Sequence, residues 1–548
     1  MIDGETVDQY VRDLIVWSSH STSIEFLCLI VQDLSMVSES RLTTAKRRLR
    51  KNGVFGGLSK TIFGLICRFE RKLLERRADS KRYLSRHDIS SVSATRVRVK
   101  PIVSKSGQVY RYLQTDIDAI SELNLDLIVR CGSGIQKGEI LEVARLGIIS
   151  FHHGDNRVHR GGPAGFWEVY KKLPQTGFVI QRLTDVLDAG DVLMRGGFPT
   201  QFYFSLNQMY LLEQSNHHML DLLVDIAKRG SLPLVQATST ALAPLLKSPS
   251  LFTSSSYFLV FLLRLIRKVF MRATCRAIKW TVLIEEGNWY SPANTNQIRI
   301  DSARGSYRAD PFLLNIEGDT YCLVENYRFE TGKANIEVYK IDDNKAIRLG
   351  VCLEEAWHLS FPYLFWYKSA LYMCPESANH GDIRIYKCNE FPLKWELESI
   401  AMTGLSAAET MIFEFEGLWW MLTNLDRSGM RDHSSELFAF WSDNPISGEW
   451  HAHSLNPLYV DSSLARNGGL IHSGDRVLRI SQRQGFDVYG EDVAIREITR
   501  LTPTEFEEQE IGTKSAKNIR GAVSCHHLSA CSGFIASDFA KVGFIRSK

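Results

Sequence analysis

Over the first 230 residues short apolar runs alternate with helix-like stretches. "FLCLIVQD" (26–33), "LDLIVRCG" (125–132), "GIISF" (147–151) and "TGFVIQRL" (176–183) have strand length and β-branched content. Between them, "KGEILEVAR" (137–145) and "GFWEVYKKL" (165–173) space their apolar residues as helices do. The pattern predicts an α/β domain over residues 1–230. A long helix (207–230) closes it, with Gly230 as the stop. Residues 231–275 read as a linker and connector helix, because 233–256 is rich in Ser, Thr and Pro. The apolar run in "YFLVFLLRLIRKVF" (257–270) stops at Arg264, short of the roughly 20 residues a bilayer span needs. It predicts either a packed amphipathic helix or a helix lying on a membrane surface. "KTIFGLICRFERKLLERR" (60–77) poses the same choice.

From residue 276 the period shortens to that of strands. An apolar strand, a turn and a second strand recur in "RADPFLLNIEGDTYCLVE" (308–325), "LSFPYLFWYKSALYMCPE" (359–376), "AAETMIFEFEGLWWMLTN" (407–424) and "ARNGGLIHSGDRVLRISQ" (465–482). A repeat of about 50 residues fits one four-stranded blade. The flanks, 276–300 and 497–548, leave room for a fifth blade, so 276–548 predicts an all-β five-bladed propeller closed by the strand pair in 522–545. Within that pair Cys525, His526, His527 and Cys531 have the elements of a zinc site, but strand alternation sends neighbours to opposite faces, and no metal is expected.

A chain of 548 residues is too long for one core, which agrees with a multidomain reading. Net charge +3 over that length gives no sign of a nucleic-acid or membrane partner. Ten scattered cysteines without a CxxC pair suit reduced thiols, and the opening residues show no basic region followed by an apolar run, so the expected location is cytoplasmic with no transmembrane segment.

The densest chemistry is "IISFHHGDNRVHRGG" (148–162), at the carboxyl end of a predicted strand, where open α/β sheets bind ligands. Alternation puts Ser150 and His152 on one face, Phe151 and His153 on the other, which disfavours a di-histidine metal site. With its surroundings, residues 125–194, this stretch resembles the core of the formyltetrahydrofolate-dependent formyltransferases, the family of glycinamide ribonucleotide, methionyl-tRNA and amino-sugar formyltransferases. Anchored on Arg160-Gly161, the family histidine falls on His152 and the loop aspartate on Asp188 in "LDAGD", 36 residues later. The resemblance implies a Rossmann-like fold and transfer of a formyl group from 10-formyltetrahydrofolate to the amine of a sugar or glycan precursor. His152 would donate to the oxyanion and Asp188 would hold the imidazole charge. Gly132, Gly134, Leu187, Ala189 and Gly190 would line the folate site. Two departures stand out. Ser150 replaces the family asparagine, leaving that contact to its hydroxyl, to Asn156, to His153 or to nothing; and the chain opens on a helix, "ETVDQYVRDLIVW", where relatives have a strand.

The second half resembles the five-bladed propeller glycosidases, arabinanases and xylosidases among them, and more closely the glycosidase-like domain of plant glucosaminyltransferases of inositolphosphoceramides. The residues carrying that likeness are Asp310 in "ADPF", Glu376 in "PES", Glu409 in "AAETMI" and Arg466 in "ARNGG". They are expected to rim a carbohydrate site. Asp310 would be the base and Glu376 or Glu409 the acid if the propeller hydrolyses glycosides. Trp419 and Trp420 read as strand core, or one of them as a sugar platform. The expectation is thus a formyltransferase with a carbohydrate-binding propeller. The alternatives are a non-catalytic glycan-binding protein and a propeller hydrolase.

Overall fold

Two small strand pairings flank the first residues of the chain in the computed structural model. Ile2 lies parallel to Val31, its N–H donating to Ile30 O at 2.9 Å, and Cys131 N donates to Met1 O at 2.9 Å. Met1 and Ile2 thereby join the parallel pair Cys28–Gln32 and Thr95–Val99 to the parallel pair Ile128–Arg130 and Ile148–His152. The expected opening helix is present as Gln9–His20, and this short pairing precedes it. The structure describes residues 1–34, 41–105, 107–185, 190–235, 243–342 and 344–545, without the side chains of 41–55, 78–79, 291–296 and 518.

The chain forms two compact units, Met1–Leu263 and Arg264–Lys548. The first is α/β, but its sheet is not all parallel. Gln175–Arg182 runs antiparallel to both Ile148–His152 and Asp191–Pro199. The link from Arg182 to Asp191 is too short for a parallel crossover, which takes a dozen or more residues, so the last two strands fold as a hairpin. The helix predicted at 137–145 reduces to one 3-10 turn, Glu139–Glu142, behind Gly138 at φ +85°. The closing helix is Phe204–Arg229, and Gly230 at φ +67° caps it by donating to Ile226 O at 2.8 Å.

The second unit is a ring of five antiparallel sheets. Blade 1 runs from Ser306–Ile316 to Lys345–Leu353, and blade 2 from Ser360–Tyr367 to Lys394–Thr403. Blade 3 starts at Ala407–Phe415, and two short strands, His451–Ala452 and Tyr459–Val460, share its outer edge. Blade 4 runs from Asn467–Ser473 to Glu505–Ser515. The closing blade joins Arg276–Asn288 and Ser291–Ile300 to Leu528–Cys531 and Phe534–Phe544. Residues 497–515, expected in the fifth blade, instead complete blade 4, because the Val488–Thr502 strand runs on into a hairpin with Glu505–Ser515. Packing of the first strands of blades 1 to 4 and Leu528–Cys531 against one another closes the ring. Between the first two strands of blades 1, 2 and 3 and in the closing hairpin, both turn residues have positive φ (Glu317-Gly318, Lys368-Ser369, Glu416-Gly417, Ser532-Gly533). That is the turn whose twist matches a two-residue hairpin.

Each first strand of blades 1 to 4 carries the same defect. The register slips by one residue between Ala309 and Phe312, Ser360 and Tyr363, Ala408 and Met411, and Asn467 and Leu470. A bulge kinks a strand and re-aims the residues it carries. Here those residues include Asp310, Phe361, Glu409 and Gly469, all at positive φ (+49°, +47°, +50° and +125°). Only the fourth is glycine; a side chain held there costs about 1–3 kcal/mol, a strain that concentrates at functional sites.

Candidate functional site: the centre of the propeller

Two of the four bulges present carboxylates, and both carboxylates stitch neighbouring blades. Asp310 N donates to Asp538 Oδ2 at 3.1 Å, and Asp310 Oδ2 accepts from Phe361 N at 3.1 Å. Glu409 Oε1 accepts from Arg466 Nη2 at 2.8 Å, Arg466 Nε at 3.0 Å and Gln482 Nε2 at 2.8 Å. One oxygen of each is left over. Asp310 Oδ1 and Glu409 Oε2 are buried and accept no hydrogen bond from the described residues. A buried acceptor without a donor costs about 1–3 kcal/mol.

Around them the other blades supply charge and aromatic surface. Glu376, from blade 2, is half-buried and pushed up to about 8, by burial above all, with Glu409 and Asp310 adding to the shift and Arg466 opposing it. Burial raises Asp310 to about 7. Glu325 is raised too, by burial and then by Asp310 and Glu376. Four of the positions singled out from sequence, Asp310, Glu376, Glu409 and Arg466, therefore meet at the centre of the ring, where each feels the charge of at least one other. Arg466 also lies 4.9 Å over the Tyr489 ring. Trp420 is fully buried, which makes it core; Trp419 packs beside Phe365 and Tyr367.

Sequence reasoning missed the closing blade's share. His526 stacks on Trp280 at 3.9 Å, its Nδ1 lies 2.7 Å from Asp538 Oδ2, and its Nε2 lies 3.5 Å from Asp310 Oδ1. Burial opposes its charge, yet Asp538 and Asp310 raise its pKa on balance. Adjacent His527 is pushed down to about 3 by burial and packs on Phe312 at 4.5 Å. The two histidines precede the strand Leu528–Cys531, outside the alternation that dismissed them. Asp310, His526 and Asp538 lie close enough together to hold a cation. Asp538, however, already accepts from the backbone N–H of Asp310, His526 and His527. That leaves Asp310 Oδ1 and His526 Nε2, fewer than the four ligands of a structural zinc.

Glu376 gives a stability prediction. In the unfolded chain it ionises near 4.5, whereas in the fold it keeps its proton to about 8. The folded state binds more protons across that window, so Glu376 subtracts stability as pH rises through it. Glu376→Gln is expected to melt about 2–4 °C above the parent at pH 9 and to lose that advantage by pH 5. Scanning fluorimetry at both pH values checks this, and an offset that does not change with pH would contradict it.

The residues expected to act in the first unit present a different picture. His152 ends the strand Ile148–His152, and Phe151 stacks on His153 at 5.1 Å as alternation requires. His153 is pushed down to about 3 by burial, with His152 contributing. Ser150 is buried and its Oγ donates to Arg130 O at 3.2 Å, while Asn156 Oδ1 accepts from Arg195 Nη1 at 2.8 Å. Asp188, Leu187 and Ala189 lie outside the described residues. The glycines expected to line a folate site face protein instead. A Cβ on Gly132 would fall 2.5 Å from Asp3 Oδ1, one on Gly134 2.5 Å from the Tyr110 ring, and one on Gly190 would collide with the Arg182 carbonyl.

Residues 292–531 match a family model described as glucosamine inositolphosphorylceramide transferase 1, N-terminal. Curated relatives include glucosamine inositolphosphorylceramide transferase 1 of Oryza sativa subsp. japonica, 34% identical over 236 residues, covering 41% of this chain and 31% of that protein. The Arabidopsis thaliana protein of the same name is 33% identical over 234 residues, covering 41% and 30%. The chain thus spans about a third of the length of the curated relatives it matches. Among solved structures, a family 117 glycoside hydrolase of Zobellia galactanivorans aligns at 10% identity and TM-score 0.32, over 49% of this chain and 90% of its own.

These relatives correct the expectation of formyl transfer. They are transferases named for glucosamine and inositolphosphorylceramide, so neither a formyltransferase activity nor 10-formyltetrahydrofolate as cosubstrate is retained, and the one-carbon role assigned to His152, Asp188 and Ser150 goes with them. The cytoplasmic expectation falls as well. Scattered cysteines set no cellular address, and the matched proteins are named for a ceramide, a membrane lipid.

Proposed function

We propose that the centre of the propeller is a receptor for an amino sugar, serving transfer chemistry on an inositolphosphorylceramide-type glycolipid. The observation that carries this reading is the pair of buried acceptors that receive no hydrogen bond from the described residues, Asp310 Oδ1 and Glu409 Oε2. Five carboxylates, Asp310, Glu325, Glu376, Glu409 and Asp538, gather there around Arg466 and His526. An ammonium supplies the donors these oxygens lack and the positive charge that lets Asp310 and Glu376 ionise together. Tyr489, 42% exposed, adds aromatic surface of the kind a sugar ring packs on. The names of the curated relatives, which contain glucosamine, support the same ligand class.

Calorimetry with glucosamine, N-acetylglucosamine and glucose tests the proposal. Glucosamine is expected to bind about tenfold or more tightly than either neutral sugar, the advantage of a charge-assisted hydrogen bond. Binding near pH 6.5 should release protons, read from the dependence of heat on buffer, because a cation favours the ionised carboxylates. Equal affinity for all three sugars would overturn it. One observation favours a second reading: a carboxyl that keeps its proton at neutral pH, as Glu376 does, is what a glycosidase needs as its acid. Release of nitrophenol from aryl glycosides, lost in Glu376→Gln, would shift the assignment to hydrolysis.

A further inference from the structure

The helix Leu251–Ala273 shows two opposite faces. Its rotation is fixed on one side, where Ser254, Tyr257 and Phe261 are buried. There the Tyr257 hydroxyl donates to Glu70 and accepts from Phe204 N at 2.8 Å, and Phe69 packs edge-on against Phe258 and Phe261. Phe252, Leu259, Leu263, Ile266 and Phe270 follow one another at helical intervals of seven, four, three and four residues. They fall on the face opposite Tyr257, and they are 79%, 59%, 57%, 61% and 57% exposed. Val260 and Val269 widen this stripe at 37% and 60% exposure. A contiguous row of large exposed apolar side chains marks an interaction surface.

Charge decides what covers it. The helix holds Arg264, Arg267, Lys268 and Arg272 and no carboxylate. Lys268 is drawn to Asp487 at 3.2 Å and Arg264 lies 4.5 Å over Phe486, while Arg267 and Arg272 are exposed. An apolar stripe joined to cations without acids complements the boundary of an anionic bilayer, where acyl chains and phosphates lie a few ångströms apart. No described helix is long and apolar enough to cross a membrane, so the mode is in-plane. We infer that Leu251–Ala273 docks the protein onto a bilayer surface rich in anionic phospholipid, with its apolar stripe among the acyl chains and its arginines at the phosphates. This stands independently of the sugar site, and it would place the chain at the membrane where a ceramide-based acceptor resides.

Flotation of the full chain with vesicles tests this, using phosphatidylcholine alone and phosphatidylcholine mixed with phosphatidylinositol. Binding to the mixed vesicles is expected to exceed binding to the neutral ones by about tenfold and to fall as salt rises. Leu259→Glu with Ile266→Glu should abolish flotation without changing the melting temperature, since both side chains are exposed. Arg267→Glu with Arg272→Glu should remove the preference for phosphatidylinositol. Absence of flotation with either vesicle, or flotation unchanged by the Leu259 and Ile266 substitutions, would overturn the inference. So would a dimer in sedimentation equilibrium that these two substitutions dissociate, since a second copy would then cover the stripe.

Discussion

Arg466→Met is expected to destabilise the propeller by about 3–5 kcal/mol and to abolish sugar binding, because it strands a buried charge. The Arg466 side chain is 12% exposed and the Glu409 side chain 3%. Without the guanidinium, Glu409 Oε1 keeps Gln482 at 2.8 Å and the Tyr489 hydroxyl at 3.4 Å, both neutral, while Oε2 has no donor among the described residues. Glu409 cannot swing into water to escape, since its bulge fixes it at φ +50° and Asn467 Nδ2 holds its carbonyl at 2.9 Å. Arg466→Lys keeps the charge but loses the two-pronged contact, so it should recover part of the loss. Glu409→Gln with Arg466→Met removes both charges and should recover most of the stability while binding stays lost. Urea unfolding of the single and double variants measures the coupling. A single variant within about 1 kcal/mol of the parent would mean that solvent already satisfies Glu409 and that the centre is wetter than its burial implies.

The double variant matters because it separates architecture from recognition. Inter-blade contacts in this ring run through the same carboxylates that face its centre. Asp538 receives the backbone of Asp310, and Asp310 receives the backbone of Phe361. A residue can therefore score as essential for folding while its second oxygen is reserved for a ligand. Glu376 is the cleaner probe of recognition, since its proton is held by burial and the neighbouring carboxylates against the pull of Arg466.

The blades were legible in the sequence because each first hairpin repeats an apolar strand, a tight turn and a second apolar strand. The four units read at 308–325, 359–376, 407–424 and 465–482 coincide with the first two strands of blades 1 to 4. The outer strands were harder to place. They are half-exposed and polar, as in "EFEEQEIGTKS" (505–515), and so 497–515 was credited to the wrong blade. Asp310, Glu376, Glu409 and Arg466 were found through short strings that sit at the bulges of first strands or at strand ends. His526 and Asp538 escaped because strand alternation was applied to His526 two residues before the strand begins, and because an aspartate inside an apolar strand, "FIASDFAKVGF", gives no local sign that it accepts three backbone N–H groups, one of them from the neighbouring blade. In the first unit the histidine-rich strand end invited a catalytic reading. Local pattern does not distinguish a glycine that admits a ligand from one that admits a neighbouring side chain, as Gly132 does for Asp3.

Ending the chain at residue 520 is expected to abolish cooperative folding of the second unit. The closing blade is built from both ends of that unit. Arg276–Asn288 pairs with Phe534–Phe544 in unbroken register from Arg276 opposite Phe544 to Glu286 opposite Phe534, and Leu528–Cys531 lies beside it as the innermost strand. Removing the two C-terminal strands exposes one whole edge of Arg276–Asn288, together with apolar residues that are buried in the intact ring, Val282 and Ile284 among them. It also removes Ser529 Oγ, which accepts from Leu313 N at 3.1 Å, and Asp538, which holds the Asp310 bulge. A propeller with one blade reduced to a hairpin exposes the long edge of Arg276–Asn288 and uncovers the faces of blades 1 and 4 that packed on Leu528–Cys531, so the loss is expected to propagate instead of remaining in one blade. Heating followed by circular dichroism should show no cooperative β transition, and limited proteolysis should cut throughout 276–515. Adding a synthetic peptide of residues 521–548 should restore the transition and, with His526 and Asp538 returned to the centre, sugar binding. A truncated chain that melts cooperatively without the peptide would show that four blades close around the centre unaided, and that the closing strands serve the ligand and not the fold.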